Sequence, residues 1–448
     1  MTENVAERLA TLPLTKKHYK VWWLASLGFF FEGLDLTIVG AILVAITKVF
    51  HMTNQEAGTI GSTALAGYVI GVALAGWIGD RYGRKFVMQY TLLVFTVFTI
   101  LAAFTWNTLS FGVLRFITGI GVGGESAIVT PYLAELFQPR YRGRFMGISD
   151  TFYTIGMIIA SLIGLVLIPI SVNGWRYALV VAGLPALYVM LIRNYLPESP
   201  LWLLKKGREE EAEQIVRDFE KYAHAADSST GTVAKKDQGS PQGTVATSGQ
   251  KASLGALWTK YAHRTAMLWI IWFFIELVYY GFLVWLPELL VKHGFSVVKS
   301  LEYSLLINIA ALVGGIVAAF LQDTKLGRKY IIVVFFLLAG ISSYLFSRVN
   351  TPAGVLMFGG LISFLLNGLF AVLYTFTPEQ YPTNVRASGQ GFASAVGHVG
   401  GVVGPFLVGA VLTAFGFSGI FGLFAFFLII PIIATIFLKE RRGALLES

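Results

Sequence analysis

Polar and apolar positions are segregated along this chain into long blocks. Apolar runs long enough to cross a bilayer, about 20 residues each, fall near 20–47, 56–79, 86–106, 110–136, 145–169, 176–195, 265–288, 302–321, 330–348, 354–378, 388–414 and 418–438. The pattern predicts an all-α membrane protein of twelve spans, six on each side of a long polar insert. Residues 1–195 form a first six-helix bundle, 196–263 the insert, and 264–448 a second bundle and its tail. The first run is long and lacks a small-residue cleavage site, so it reads as a retained span and not a signal peptide. Within the insert, residues 208–222 set Ala212, Ile215, Val216 and Phe219 at helical spacing, with Glu213 four residues before Arg217. An amphipathic helix lying along the cytoplasmic face is expected there. Residues 226–251 are small and polar, as in a flexible linker.

Charge orients this array. The loops at 106–110 and 170–175 carry almost none, whereas the alternate loops hold Arg81, Arg84 and Lys85, then Arg140, Arg142 and Arg144, then Lys325, Arg328 and Lys329. Lys16, Lys17 and Lys20 precede the first span, and Lys439, Arg441 and Arg442 follow the last; Lys292 and Lys299 are the exceptions. The positive-inside rule then puts both termini in the cytoplasm of a cell (inner) membrane protein. It also accounts for the net charge of +9 without a nucleic-acid partner. Composition agrees: 55% of residues are hydrophobic and 13% charged, about half the charge of a soluble domain. With no cysteine there is no disulfide and no cysteine-ligated metal.

The two bundles repeat each other at one offset, 244 residues (32 to 276). Phe29, Phe30 and Glu32 fall on Phe273, Phe274 and Glu276; Gly83, Arg84 and Lys85 on Gly327, Arg328 and Lys329; Glu135 and Arg142 on Glu379 and Arg386. Gly71, Gly124, Gly147 and Gly156 fall on Gly315, Gly368, Gly391 and Gly400. Parallel repeats of this kind place a substrate site at the midplane between bundles and expose it to each side in turn.

GWIGDRYGRK (76–85) lies on a basic connection, where glycines permit a tight turn and Asp80 can accept helix N-terminal amide hydrogens. QDTKLGRK (322–329) is its weaker copy. The pair resembles the signature of the major facilitator superfamily, and the resemblance covers essentially the whole chain. RFITGIGVGGESAIV (115–129), EGLD (32–35) and YPTNVRASGQGFASAVGHVGGVVGP (381–405) resemble stretches of the aromatic-acid and niacin-type proton symporters. PESPLWLL (197–204) is similar to the sixth-span exit of the broader sugar-porter clan. Three departures weaken a hexose assignment: IELVYYGFLVWLP (275–287) lacks paired glutamines, the tail reads KERRG, and His398 stands where relatives often have arginine. The resemblance implies that Asp80, Arg81 and Arg84 gate conformations and do not touch substrate. Glu135 with Arg142, and Glu379 with Arg386, are expected as gate ion pairs.

Glu32 and Asp35 sit in one of the most apolar runs, where a central acid costs about 2.5–3.5 kcal/mol on insertion scales. Three residues apart, both are expected on one helix face. Intramembrane acids are functional by default, so they are the candidates for proton coupling, Asp35 carrying the proton with help from Glu32. The bland alternative is that one of them neutralises Arg115. Arg115 is the candidate for a substrate carboxylate, since guanidinium offers two parallel hydrogen bonds; an internal pair with Asp35 or Glu125 is the competing role. Glu125 is expected to pack helices, and Asp150 ranks below the first-span acids. Tyr279, Tyr280, Trp285 and Tyr374 are candidate walls for an aromatic ligand. Asn308, Asn367 and His398 are candidate hydrogen-bonding contacts, or plain interhelical ones.

These readings converge on a proton-coupled symporter of a small organic anion, an aromatic or heteroaromatic carboxylate, working as a monomer in the lipid bilayer without a cofactor. The rivals are a sugar or polyol transporter and a non-transporting receptor. An enzyme is not expected: no nucleophile–base arrangement is evident, and GIGVGG lies inside a span, not in a strand-to-helix turn.

Overall fold

The computed structural model describes residues 5, 8–9, 11–193, 195–230, 255–322, 324, 326–382 and 385–441, without side chains at 139–140, 142–144, 185, 188, 190–193 and 223–230. Among the described residues there is no strand. In a bilayer interior a helix satisfies its own backbone, and an open strand does not. The first bundle comprises α1 (Lys16–Val49), α2 (Asn54–Tyr82), α3 (Arg84–Ala102), α4 (Thr108–Leu136), α5 (Pro139–Leu167) and α6 (Gly174–Arg193). In the insert, α7 (Pro200–Lys205) and α8 (Glu209–Thr230) follow, and a single helical turn at Ala256–Thr259 precedes the second bundle. The second bundle comprises α9 (Ala262–Lys292), α10 (Val297–Leu321), α11 (Arg328–Phe346), α12 (Pro352–Glu379) and α13 (Arg386–Ile436). The eleventh and twelfth spans both lie in α13, which breaks at Gly416, where φ is 64° and ψ −166°. Twelve spans are therefore present.

Polar residues at the turns start several of these helices. Thr53 accepts from the Glu56 amide while Glu56 reaches back to the Thr53 amide, a reciprocal cap on α2. Asn107, Ser296 and Thr351 cap α4, α10 and α12 in the same sense. All four lie at the end of the molecule opposite the basic loops.

Bare backbone sets how closely α1 and α5 approach. A Cβ at Gly156 would stand 2.1 Å from the Phe30 carbonyl oxygen, and its repeat copy, Gly400, would meet Phe273 at the same distance. No side chain fits either crossing.

Direct contacts between the bundles run from mid-depth to the end away from the basic loops. Gly40 of α1 lies against the Val284 and Leu283 carbonyls of α9, and Gly58 of α2 against Pro405 of α13. Ser62 donates to the Val402 carbonyl at 2.6 Å, Asn54 to Thr413 at 3.3 Å, and Asn308 of α10 to Ser161 of α5 at 2.8 Å. Toward the basic end the bundles part: Gly147 and Gly391 have open space where a Cβ would be.

At that basic end α8 docks on the first bundle. Ala212, Val216 and Phe219 are fully buried, with Val216 and Phe219 among Val5, Leu9, Leu12 and Leu136. The expected amphipathic helix therefore spends its apolar face on protein. Lys17 reaches Asp218 at 2.6 Å and lies over the Phe219 ring, while Arg8 grips Glu213 and Glu220. The Lys17 hydrogen bond holds the Asp218 carboxyl below the usual range. Most of the expected linker, from residue 231 on, falls outside the described residues.

Candidate functional site

Where the bundles part, a cavity lined by both of them reaches residues roughly halfway along the helices. The first bundle contributes Phe29 and Glu32 (α1), Tyr68 (α2), Ser126 (α4), and Asp150, Tyr153 and Thr154 (α5). The second contributes Glu276, Tyr279 and Tyr280 (α9), Asn367, Phe370 and Tyr374 (α12), and His398 (α13). Tyr374 is 45% exposed although it sits within a membrane helix, and Asp150 is also solvent-accessible, so the cavity is wet.

Spacing explains the selection. Asp150, Tyr153 and Thr154, like Glu276, Tyr279 and Tyr280, stand at i, i+3 and i+4 and so share a helix face. At the blind end, Tyr68 donates to Glu32 Oε1 at 2.9 Å, and its ring meets the His398 ring edge-on with centroids 4.6 Å apart. His398 Nδ1 lies 2.5 Å from Glu276 Oε2. A polar chain thus crosses from one bundle to the other and joins the two repeat-equivalent acids. Tyr279 donates to the Met157 sulfur at 3.3 Å, a second crossing.

Asp35 and Arg115 lie elsewhere. Arg115 Nη1 and Nη2 bond the two Asp35 oxygens at 2.8 and 2.7 Å, and both side chains are completely buried. Neither lines the cavity. Glu32 and Asp35, three residues apart on α1, take different partners: Tyr68 of α2 donates to Glu32, and Arg115 of α4 holds Asp35. Asn308 likewise lies outside the cavity, in the seal with Ser161. Trp285 is fully buried and donates to the Pro405 carbonyl at 2.9 Å, a packing role. Glu125 accepts from Thr91 at 2.8 Å beside Gly28, which fits its expected role in helix packing.

At the basic end, one expected pair, Glu379 with Arg386, is replaced by another. Glu135 is held by Arg84 at 3.3 Å, while the Arg142 side chain lies outside the described ones. Glu379 pairs with Arg328, and Arg386 donates instead to the carbonyls of Pro378 and Tyr381. Each glutamate therefore engages the arginine of its glycine-rich motif, and Glu379 does so in place of Arg386. Asp80 bonds Arg84 at 2.7 Å, but it does not cap the next helix. Glu198 does, accepting from the Arg84 and Lys85 amides at 2.9 and 3.1 Å. Glu440, in the unusual tail, does the same for the Lys329 amide at 2.7 Å. Arg81 projects over Trp77 and Tyr82.

Tyr68, Ser126, Tyr153, Thr154, Phe29 and Phe370 were not expected in the cavity. The repeat carried a signal for one of them, because Thr154 is equivalent to His398.

Comparison with known proteins bears on what this cavity serves. The family model described as sugar (and other) transporter matches residues 21–447. The niacin transporter of Acinetobacter baylyi is 37% identical over 99% of this chain and 99% of its own length. The putative niacin/nicotinamide transporter of Bacillus subtilis is 32% identical over 96% of this chain and 98% of its own. The 4-hydroxybenzoate transporter of A. baylyi is 29% identical over 96% and 92%. Among solved structures, an inward-open conformation of the E. coli xylose transporter superposes with a TM-score of 0.73 at 19% identity, covering 95% of this chain and 97% of that one. At that identity the likeness concerns the fold. A match running from the first span to the last, on two bundles that repeat each other, has one meaning: the chain belongs to the sugar (and other) transporter family of the major facilitator superfamily.

Proposed function

We propose that this transporter carries a small aromatic or heteroaromatic carboxylate, of the nicotinate class, in symport with a proton. The observation that carries the reading is the wet, mid-depth cavity between the bundles, which combines aromatic walls with three carboxyl groups and an imidazole and is sealed on one side. Tyr279, Tyr280, Tyr374 and Phe370 supply flat faces, and Asn367, Ser126 and the tyrosine hydroxyls supply hydrogen bonds to a ring substituent. Relatives named for niacin and 4-hydroxybenzoate support the same class.

With the basic loops in the cytoplasm, this conformation faces inward, and rocking of the bundles opens the opposite seal. The coupling proton belongs among the groups that face the cavity, of which Glu32 is the one expected from the first span. Asp35 and Arg115 hold α1 to α4. Asp80, Arg84 and Glu135, with Arg328 and Glu379, brace the basic end as each bundle swings. The carrier works as a monomer in the inner membrane.

One observation favours a second reading. Among the described lining residues there is no arginine or lysine, as would suit an uncharged polyol.

Purified protein in liposomes, given labelled nicotinate and an imposed pH gradient, tests both. Accumulation that collapses with a protonophore supports symport. No accumulation under any gradient refutes it, and uptake competed by pentoses or hexoses but not by carboxylates favours the polyol.

A further inference from the structure

Glu276 and His398 are the one ion pair among the described residues whose members both line the cavity. Glu276 is 1% exposed, and glycines confine its carboxylate: a Cβ at Gly397 would stand 2.6 Å from Oε1, and one at Gly401 3.4 Å from Oε2. An ionised carboxylate only accepts hydrogen bonds, so the His398 nitrogen at 2.5 Å, Nδ1, carries a hydrogen in either charge state of the ring. Nε2 is then the atom that gains and loses a proton. It has no protein partner among the described residues.

In the neutral ring, Nε2 turns a lone pair to the cavity; in the protonated ring it presents an N–H on a cation. The other titratable groups facing it are Glu32 from α1, Tyr68 from α2, Asp150 from α5, Tyr280 from α9 and Tyr374 from α12, and none of them supplies positive charge. An anion entering a cavity of acids and hydroxyls needs a cation, and this nitrogen is the place to make one.

We propose that the coupling proton and the substrate carboxylate meet at His398 Nε2. The protonated ring donates its Nε2–H to a carboxylate oxygen, and Glu276 is a positioning residue that fixes the tautomer and balances the cation. One proton then enters with each anion. When Nε2 gives its proton to water on the side of higher pH, the lone pair faces the carboxylate and expels it. The idea rests on the carboxylate reading above and deepens it by naming the atom that couples.

Binding of labelled nicotinate and of benzoate to purified protein between pH 5.5 and 8 tests it independently of flux. In the wild type, affinity for both falls by about tenfold per pH unit above the midpoint, as release of one linked proton requires. His398→Gln binds weakly with no pH dependence. His398→Arg binds at all pH values and exchanges substrate, but a pH gradient no longer drives accumulation. Glu276→Gln moves the midpoint to lower pH and retains binding at the acidic end. Flat wild-type affinity, or an unchanged pH profile in His398→Gln, overturns this inference and leaves carboxylate transport standing. A wild type that binds neither compound at any pH overturns both.

Discussion

Removing Arg115 separates a substrate contact from a structural pair. In Arg115→Leu, Asp35 is left at a completely buried position without its cation and loses both short hydrogen bonds, leaving only a 3.4 Å contact from Thr99. Breaking a buried pair from one side costs about 3–5 kcal/mol, roughly a hundred- to several-thousand-fold in the folded-to-unfolded ratio. Asp35→Leu is expected to cost a similar amount by stranding the guanidinium. The double variant, Asp35→Leu with Arg115→Leu, removes both charges from the membrane interior and recovers most of the loss, because an apolar replacement of a buried pair is often neutral or better. Unfolding in detergent measures the cycle; with each single loss at about 3–5 kcal/mol and the double variant costing little, the coupling is expected to approach the sum of the two, about 5–9 kcal/mol. Nicotinate binding by the double variant should stay within a few-fold of wild type, since neither side chain lines the cavity. An Arg115→Leu protein that unfolds like wild type yet no longer binds nicotinate would refute the reasoning and make Arg115 the ligand's contact.

Three further outcomes follow from the ends of the bundles. Gly83→Ala puts a Cβ 2.2 Å from Glu198 Oε2 at a φ of +109°, so it should cost about 2 kcal/mol, against about 1 for Glu198→Ala, which removes only the cap. Because both act on one contact, the double variant should unfold no earlier than Gly83→Ala alone. Asn54→Cys with Thr413→Cys, in a chain that has no cysteine of its own, should cross-link on oxidation and stop transport until reduced. No cross-link in membranes would mean that the seal is formed otherwise. Docking of α8 should weaken in acid: the Lys17 hydrogen bond holds Asp218 low, and those of Arg8 and Arg217 hold Glu213 low. A depressed carboxyl contributes stability above its undocked value, near 4, and loses it as pH falls through the docked one. Hydrogen-exchange protection in α8 should therefore drop between pH 5 and 3 while α4 stays protected; equal protection throughout that range would refute the docking.

The spans, their grouping and the repeat were legible because a bilayer forces hydrophobic length and internal backbone pairing on the sequence. The repeat even marked Glu32 and Glu276 as partners. Partner choice was not legible. Glu135 and Glu379 reach Arg84 and Arg328, each 51 residues upstream, and helix crossing, not closeness in sequence, brings those guanidinium groups to them. Glu198 and Glu440 act at helix starts more than 100 residues upstream, and no local spacing foretells a cap delivered from that distance. The cavity's tyrosines were ambiguous for another reason. Tyr279 and Tyr280 on a wall and Trp285 in the packing belong to one apolar stretch, and composition there is the same for both duties.

The fate of Asp35 follows from where the repeat fails. Its equivalent in the second bundle is Tyr279, a wall of the cavity, so the position itself can face the passage. Arg115 is equivalent to Gly359, which has no side chain to reach α9. In the second bundle nothing draws the residue at 279 away, whereas in the first a guanidinium on α4 takes the carboxylate at 35 with two hydrogen bonds. One cation on one helix therefore withdraws an acid from the passage and makes the cavity asymmetric. Glu32, a turn earlier on α1, keeps the cavity because its neighbour there is a tyrosine hydroxyl, which binds it without neutralising it. The acid-rich motif of the first span thus divides into a group that can titrate against the passage and a group that anchors the helix. Its spacing alone shows both side chains, but the division is made by Arg115.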